Sequence, residues 1–212
     1  ATASAMAAVA AVLPTAGAAN VTVSESLSKI ANKKGGKWEM SLYTSVNLGV
    51  GNHANNPMLH ETPDPITKVT WDNYVAMAPK DMEEMGLNMY IGEQESSSLV
   101  KVSANGKTLI LPAVATPGQK RGTFSIALGY GRGEGNEAIG KAAYQVDGDG
   151  EFIMENDKRT PIGKNAYALV SSGLYAAYNA TLEVTGETYA MASTQLHSTV
   201  MGRDSVVKET TF

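Results

Sequence analysis

A chain of 212 residues with 43% apolar side chains has enough hydrophobic mass for one substantial domain or two small ones. Its 17 basic residues stand against 21 acidic ones for a net charge of −4, and the cluster of Lys33, Lys34 and Lys37 is too short to attract nucleic acid. The absence of cysteine excludes disulfides, Cys-type zinc sites and cysteine-ligated iron–sulfur clusters from this polypeptide, while leaving its compartment open.

The opening run, ATASAMAAVAAVLPTAGAA, has the small apolar residues of an export signal, yet the first basic residue is Lys29. Pro14 and Gly17 interrupt it as a membrane span, and the composition predicts a short Ala-rich helix. Thr22-Val23-Ser24-Glu25 matches a capping box, so a second helix is expected there. Val23, Leu27 and Ile30 form its apolar side, and Lys33, Lys34 and the Gly35-Gly36 pair supply its end. Residues 1–36 therefore read as an N-terminal helical lead-in to a domain over 37–212.

Lys37 to Val46 alternates, with Trp38, Met40, Leu42 and to a lesser degree Thr44 on one face, which predicts a half-buried strand. The stretch Asn56 to Asn73, NPMLHETPDPITKVTWDN, follows. Pro63 and Pro65 fix two φ angles around Asp64 and bias Thr62 and Asp64 toward extended backbone, so a rigid, non-helical loop is expected. Tyr74 to Met77 reads as a short strand. Pro79 to Gly86 reads as one short helix, with proline in its first turn and glycine as its stop.

Asn105-Gly106 lies between two alternating runs, Ser97 to Val102 and Lys107 to Ala115, and predicts a type I′ hairpin. Pro117-Gly118 has type II turn chemistry, and Gly122 to Leu128 reads as the next strand. An irregular insertion is expected near 130–179. Ala180 to Val184 and Thr188 to Ala192, flanking Gly186, look like a further hairpin. Many strands and few helices make the domain mainly β, as a sheet or barrel.

Several local patterns imitate chemistry. GYGRGEG places Gly129, Gly131, Gly133 and Gly135 after a strand, but a dinucleotide fingerprint needs its glycines to open a helix, so a mobile loop is expected, with Arg132 solvated or meeting a partner. Asp147 to Glu151 fails the calcium-loop order and reads as a solvated acidic turn. His53, His60 and His197 lack the helical spacing of a zinc protease, and Ser98, Ser125 and Ser193 lack a nucleophile elbow. Asp64 is a possible general acid or base beside Glu61, although an aspartate in a turn more often satisfies backbone donors of that turn. Trp71 reads as a core anchor rather than a stacking platform.

The ordered series NPMLHETPDPITKVTWDN, P-x-D-M-x-x-x-G-L, NGK-T-L-x-LPA-x-x-x-PGQ-x-x-GT-x-SIALGYGR and STQLHSTVMGRDSVVKETTF resembles a known family. It looks like the C-terminal region of the large, molybdopterin-oxidoreductase-like iron–sulfur subunit of bacterial alternative complex III. The resemblance covers residues 37 to 212, weakening between Gly133 and Asn179. It implies a double-psi β-barrel like that of aspartate decarboxylase and of the last domain of the dimethyl-sulfoxide-reductase superfamily, with short helices.

That family oxidises membrane quinol and passes electrons to periplasmic carriers or a terminal oxidase, from the periplasmic side of the inner membrane. The implied partners are a multihaem cytochrome c and quinol-binding membrane subunits, with no nucleic acid and no direct membrane span in this chain. The implied role is structural, with no catalytic site, metal or cofactor of its own. Iron–sulfur clusters belong to the rest of the full subunit, whose cysteine motifs are absent here. The polypeptide is accordingly a fragment, an incompletely traced subunit or a separately encoded barrel.

By the same resemblance, Thr44, Ser45, His53, Asn55, Asn56 and Gln195 are vestigial pterin-facing residues, and Asp64, Trp71, Arg132 and Arg203 are candidates for partner contact. The alternative is a molybdopterin-binding domain of an active polysulfide-reductase-like or formate-dehydrogenase-like enzyme, in which His53, Asn56 and Gln195 touch the pterin. A decarboxylase of the same fold would need a Gly-Ser processing site, and only the reversed Ser172-Gly173 is present.

Overall fold

The computed structural model describes residues 23–24, 27–28, 35–91, 95–133, 143–171, 175–195 and 210–211. The chain divides into two compact units, Ala1–Lys34 and Gly35–Phe212, with the division beside the Gly35-Gly36 pair. In the first unit Val23, Ser24, Leu27 and Ser28 are helical. The Ser28 hydroxyl donates to the Ser24 carbonyl at 2.8 Å. The Ala-rich run and the capping residues Thr22 and Glu25 lie outside the described residues.

The second unit is mainly β. Its elements are β1 (Trp38–Thr44), α1 (Pro57–Glu61), β2 (Val75–Met77), α2 (Pro79–Glu84), β3 (Ser97–Ala104), β4 (Lys107–Ala115), β5 (Thr123–Leu128), β6 (Met154–Glu155), β7 (Lys158–Arg159) and β8 (Ala176–Tyr189). Six of these strands close into a barrel in the order β1-β5-β2-β4-β3-β8, and β6 pairs with β7 apart from it. β1 runs parallel to β5 and β2 parallel to β4. The other barrel pairs are antiparallel. Exchanging β1, β2 and β3 with β4, β5 and β8 reproduces the same neighbours in the same orientations, so the two halves interlock about an internal two-fold.

Local sequence accounts for most of these elements. In β1, Trp38, Met40 and Leu42 are buried between exposed neighbours, whereas Thr44, at the strand end, is exposed. β2 is buried on both faces: Val75 and Met77 enter the barrel core, while Ala76 joins Val69, Tyr74, Val114 and Met191 outside it. A strand covered on both sides reads as a continuous apolar run, as Val75 to Met77 does. Asn105 (φ 53°) and Gly106 (φ 75°) both take positive φ between β3 and β4, as a type I′ turn requires. α2 starts at Pro79 and buries Met82 in the core. Its buried Asp81 accepts from Arg121 Nε at 2.9 Å and from the Gly122 N–H at 2.7 Å, tying the helix to the turn before β5.

Three expectations are corrected. The proline-rich stretch starts as a helix, because Asn56 caps Pro57–Glu61 and Pro63 and Pro65 constrain only the backbone after it. The expected hairpin at Gly186 is one continuous strand, β8. Its register against β3 shifts between Ser98 and Val100, where a bulge carries Gly186 and the Thr185 hydroxyl donates to the Leu99 carbonyl at 2.9 Å. The described part of the glycine-rich segment is closely packed backbone, not a loose loop. A Cβ on Gly131 would lie 2.3 Å from Asn165 N, and one on Gly129 would lie 2.9 Å from Gly51 N. The irregular region expected near 130–179 contains the β6–β7 ribbon and a 3-10 turn at Ala166–Leu169, and β8 has begun by Ala176.

Gly131 combines φ +73° with a backbone wall at sub-contact distance, so Gly131→Ala is expected to cost at least about 3 kcal/mol in urea unfolding. Gly118 has φ +94° and open space around it, so Gly118→Ala is expected to cost only about 1–2 kcal/mol in the same measurement.

Candidate functional site

The chain between α1 and β2 is locked from both ends. Asp64 Oδ1 accepts from the N–H groups of Ile66 and Thr67, each at 2.9 Å, and from the Thr67 hydroxyl at 3.2 Å. The Thr67 hydroxyl also pairs with Tyr74 OH at 2.6 Å. Asp64 thus satisfies donors of its own turn. Beyond it, Val69 bridges Ser193, and the N–H groups of Thr70 and Thr194 donate to the Ala192 and Lys68 carbonyls, both at 3.0 Å.

Trp71 is then forced into φ +68°. The Asp72 N–H reaches back to the Thr70 carbonyl at 2.8 Å, making a tight three-residue turn around it. Positive φ is strained for so bulky a residue, and the surrounding contacts hold it. Its N–H donates to the His60 carbonyl at 2.9 Å. Its ring stacks on His60 with centroids 5.6 Å apart and planes at 10°. Trp71 is half-buried, so it is a stacking residue at a cavity wall and not the core anchor expected from sequence.

The turn drives the next two side chains inward. Asp72 Oδ1 accepts from the Gly163 N–H at 2.9 Å, and Oδ2 accepts from Tyr189 OH at 3.0 Å. Burial pushes the Asp72 carboxyl above its ordinary range, opposed by these two bonds and by Lys164 and His60 through space. Burial likewise pushes the Tyr189 hydroxyl up, reinforced by the Asp72 charge. Asn73 donates to the carbonyls of Ala127 at 3.0 Å and Lys164 at 2.9 Å, and accepts from the Lys164 N–H at 2.9 Å. His60 is buried, with Nε2 at 2.7 Å from the Ala54 carbonyl and, among the described residues, no hydrogen-bond partner for Nδ1. Tyr130 meets the His60 ring edge-on, and burial raises its hydroxyl to about 12.

Two adjoining cavities open on this group. One of about 840 Å³ is walled by Trp71, Tyr144, Tyr189, Ile153 and Ile162, with Asp72 on its lining. The other, of about 440 Å³, shares Asp72, Gln145, Ile153 and Tyr189 and extends to Lys164, Glu155 and Glu187. Among the described residues no group of three or more His, Asp or Glu gathers as metal ligands.

Of the residues singled out by resemblance, Trp71 is on this cavity wall and the other described ones fall elsewhere. Thr44, His53, Asn55, Asn56 and Gln195 are exposed, and Ser45 is buried. Ser45 Oγ accepts from the N–H groups of Asn47 and Leu48, and Asn56 Oδ1 caps α1 through the Met58 N–H at 3.1 Å. These two acceptors shape their own loop. Gln195 has φ +55° and follows the segment paired with Lys68 and Val69. Thr44 and Asp64 meet at a separate cavity of about 340 Å³. Arg132 donates to the Gly51 carbonyl at 3.4 Å. Arg203 and His197 lie outside the described residues.

Sequence reasoning passed over Asp72, Asn73 and Tyr189, and weighed His60 only as a metal ligand. The available signal was Asp-Asn placed directly before a wholly apolar strand, since polar groups entering a buried run need partners. No protein-family model matches the chain, and no curated protein matches it either.

The folded carboxyl of Asp72 takes its proton more readily than the ordinary group at 3.8. Its contribution to stability therefore falls as pH rises from the ordinary value through the raised one, and stays lower above it. Asp72→Asn retains an acceptor for Gly163 and removes that titration. Its urea midpoint is expected to lose this fall above the ordinary carboxylate range, with stability at neutral pH equal to the parent within about 1 kcal/mol or higher. Asp72→Ala strands the Gly163 N–H and is expected to cost about 2–3 kcal/mol.

Proposed function

We propose that this chain is a structural barrel domain of a quinol-oxidising respiratory assembly, resembling the C-terminal region of the large iron–sulfur subunit of alternative complex III. In this reading the barrel is of the double-psi kind. The supporting observation is the closed six-strand barrel with two parallel pairs and an internal two-fold exchange, lying in the region that the ordered motif series spans. The barrel shapes and insulates the subunit, and Asp64, Trp71, Arg132 and Arg203 are its proposed partner contacts.

The engagement of Ser45 and Asn56 in their own loop favours this over a molybdopterin-binding domain, because their acceptors are already committed. The proposed location is the periplasmic side of the inner membrane, beside a multihaem cytochrome c and quinol-binding membrane subunits. Iron–sulfur clusters would lie in the rest of the subunit. No helix among the described residues is long and apolar enough to cross a membrane.

Purification of the assembly through a tag on this polypeptide, followed by mass spectrometry and elemental analysis, tests the reading. Haem-bearing and membrane-embedded partners are expected to copurify, without stoichiometric molybdenum. A stable monomer lacking respiratory partners, or molybdenum at about one per chain, would overturn it.

A further inference from the structure

Asp72 is a buried carboxylate whose direct partners, among the described residues, are two neutral donors: the Gly163 N–H and Tyr189 OH. Lys164 and His60 act on it only through space. A buried charge without a directly paired countercharge is costly, and such charges are ordinarily paired. A carboxylate has about four lone-pair sites, of which these bonds occupy two. Asp72 is the one charged residue on the described lining of the larger cavity, which is mainly aromatic and aliphatic through Trp71, Tyr144, Tyr189, Ile153 and Ile162, with Gln145 and Thr188 as neutral polar members.

Aromatic walls around a carboxylate suit an organic cation, which gains from ring faces and from the charge together. One face of the Trp71 ring is taken by His60, and Trp71 is on the cavity lining. The volume of about 840 Å³ fits a whole small molecule with an apolar body and exceeds what one inserted lysine or arginine side chain would fill. Glu155 and Glu187 line the adjoining cavity and add negative charge there, with Lys164 as the opposing cation.

We propose that this cavity is a binding site for a small organic cation, an alkylammonium or alkylguanidinium with an apolar body, whose charged head pairs with Asp72. The site does not depend on membership of a respiratory assembly. The tight turn at Trp71 puts Trp71 and Asp72 on the lining of the same cavity, and that placement is what the site uses.

The test uses the full chain with phenethylammonium as the probe and 2-phenylethanol as its neutral counterpart. The readout is the indole N–H resonance of each of the two tryptophans. The ammonium is expected to shift the Trp71 signal saturably, at least about tenfold more tightly than the alcohol, and to leave Trp38 in the barrel core unmoved. Asp72→Asn is expected to reduce ammonium binding to the level of the alcohol. Equal binding of the two probes to the parent protein would overturn the proposal without relying on any variant. So would an unmoved Trp71 signal up to about 10 mM ammonium.

Discussion

The fold depends on satisfying the backbone where its crossing connections pass one another. Parallel neighbours such as β1 with β5 and β2 with β4 cannot be joined by tight turns, so long connections must travel over the barrel ends. Those connections carry N–H and C=O groups that need partners. Asn73 makes three such bonds with one side chain, one to the Ala127 carbonyl on β5 and two to the half-buried backbone of Lys164. An amide is suited to this because it presents donors and an acceptor together. Substituting an apolar residue there would leave several buried groups unpaired at once, which is worse than losing any single bond.

The same crossing accounts for the glycines. Gly131 lies against the backbone of Asn165, and Gly129 against Gly51. Three chain segments, from the β1–α1 loop, the end of β5 and the stretch after β7, meet there with no room for a Cβ. Side chains beside them also bond this backbone: one N–H of the Arg132 guanidinium donates to the Gly51 carbonyl, and Tyr167 OH donates to the Val50 carbonyl at 2.9 Å. This end of the barrel is held by backbone proximity, whereas the opposite requirement, filling the interior, is met by Phe124, Ile126, Met77 and Leu111.

What the sequence reveals follows from how local each cause is. The Asn-Gly hairpin, the Pro79 helix and the alternation of β1 are fixed by neighbours within a few residues, and each appears where its pattern lies. β8 is different, because Gly186 is a turn signal by itself and becomes a bulge only when β3 supplies a partner on either side of it. The glycine-rich segment fails for a related reason: its neighbours are about 80 residues upstream and 35 residues downstream in the chain, and no short-range pattern encodes them. The importance of Asp72 was hidden similarly, since Gly163 and Tyr189 lie 91 and 117 residues away. Asp64 drew attention because its prolines are adjacent, and its bonds proved to be equally local.

Asp64 and Asp72 also separate two uses of an acid in one loop. Asp64 spends its oxygen on the turn that makes the loop rigid, which holds Thr70 against Ala192 and leaves Trp71 no relaxed conformation. The strained turn then carries Asp72 into an environment that disfavours its charge. The first aspartate thus stabilises the loop, and part of that stability is used to hold the second where it is largely withdrawn from solvent. A purely structural loop would have little reason to retain an ionisable group at such a position, since an amide could accept from Gly163 equally well. The position therefore makes most physical sense when a countercharge arrives from the cavity side.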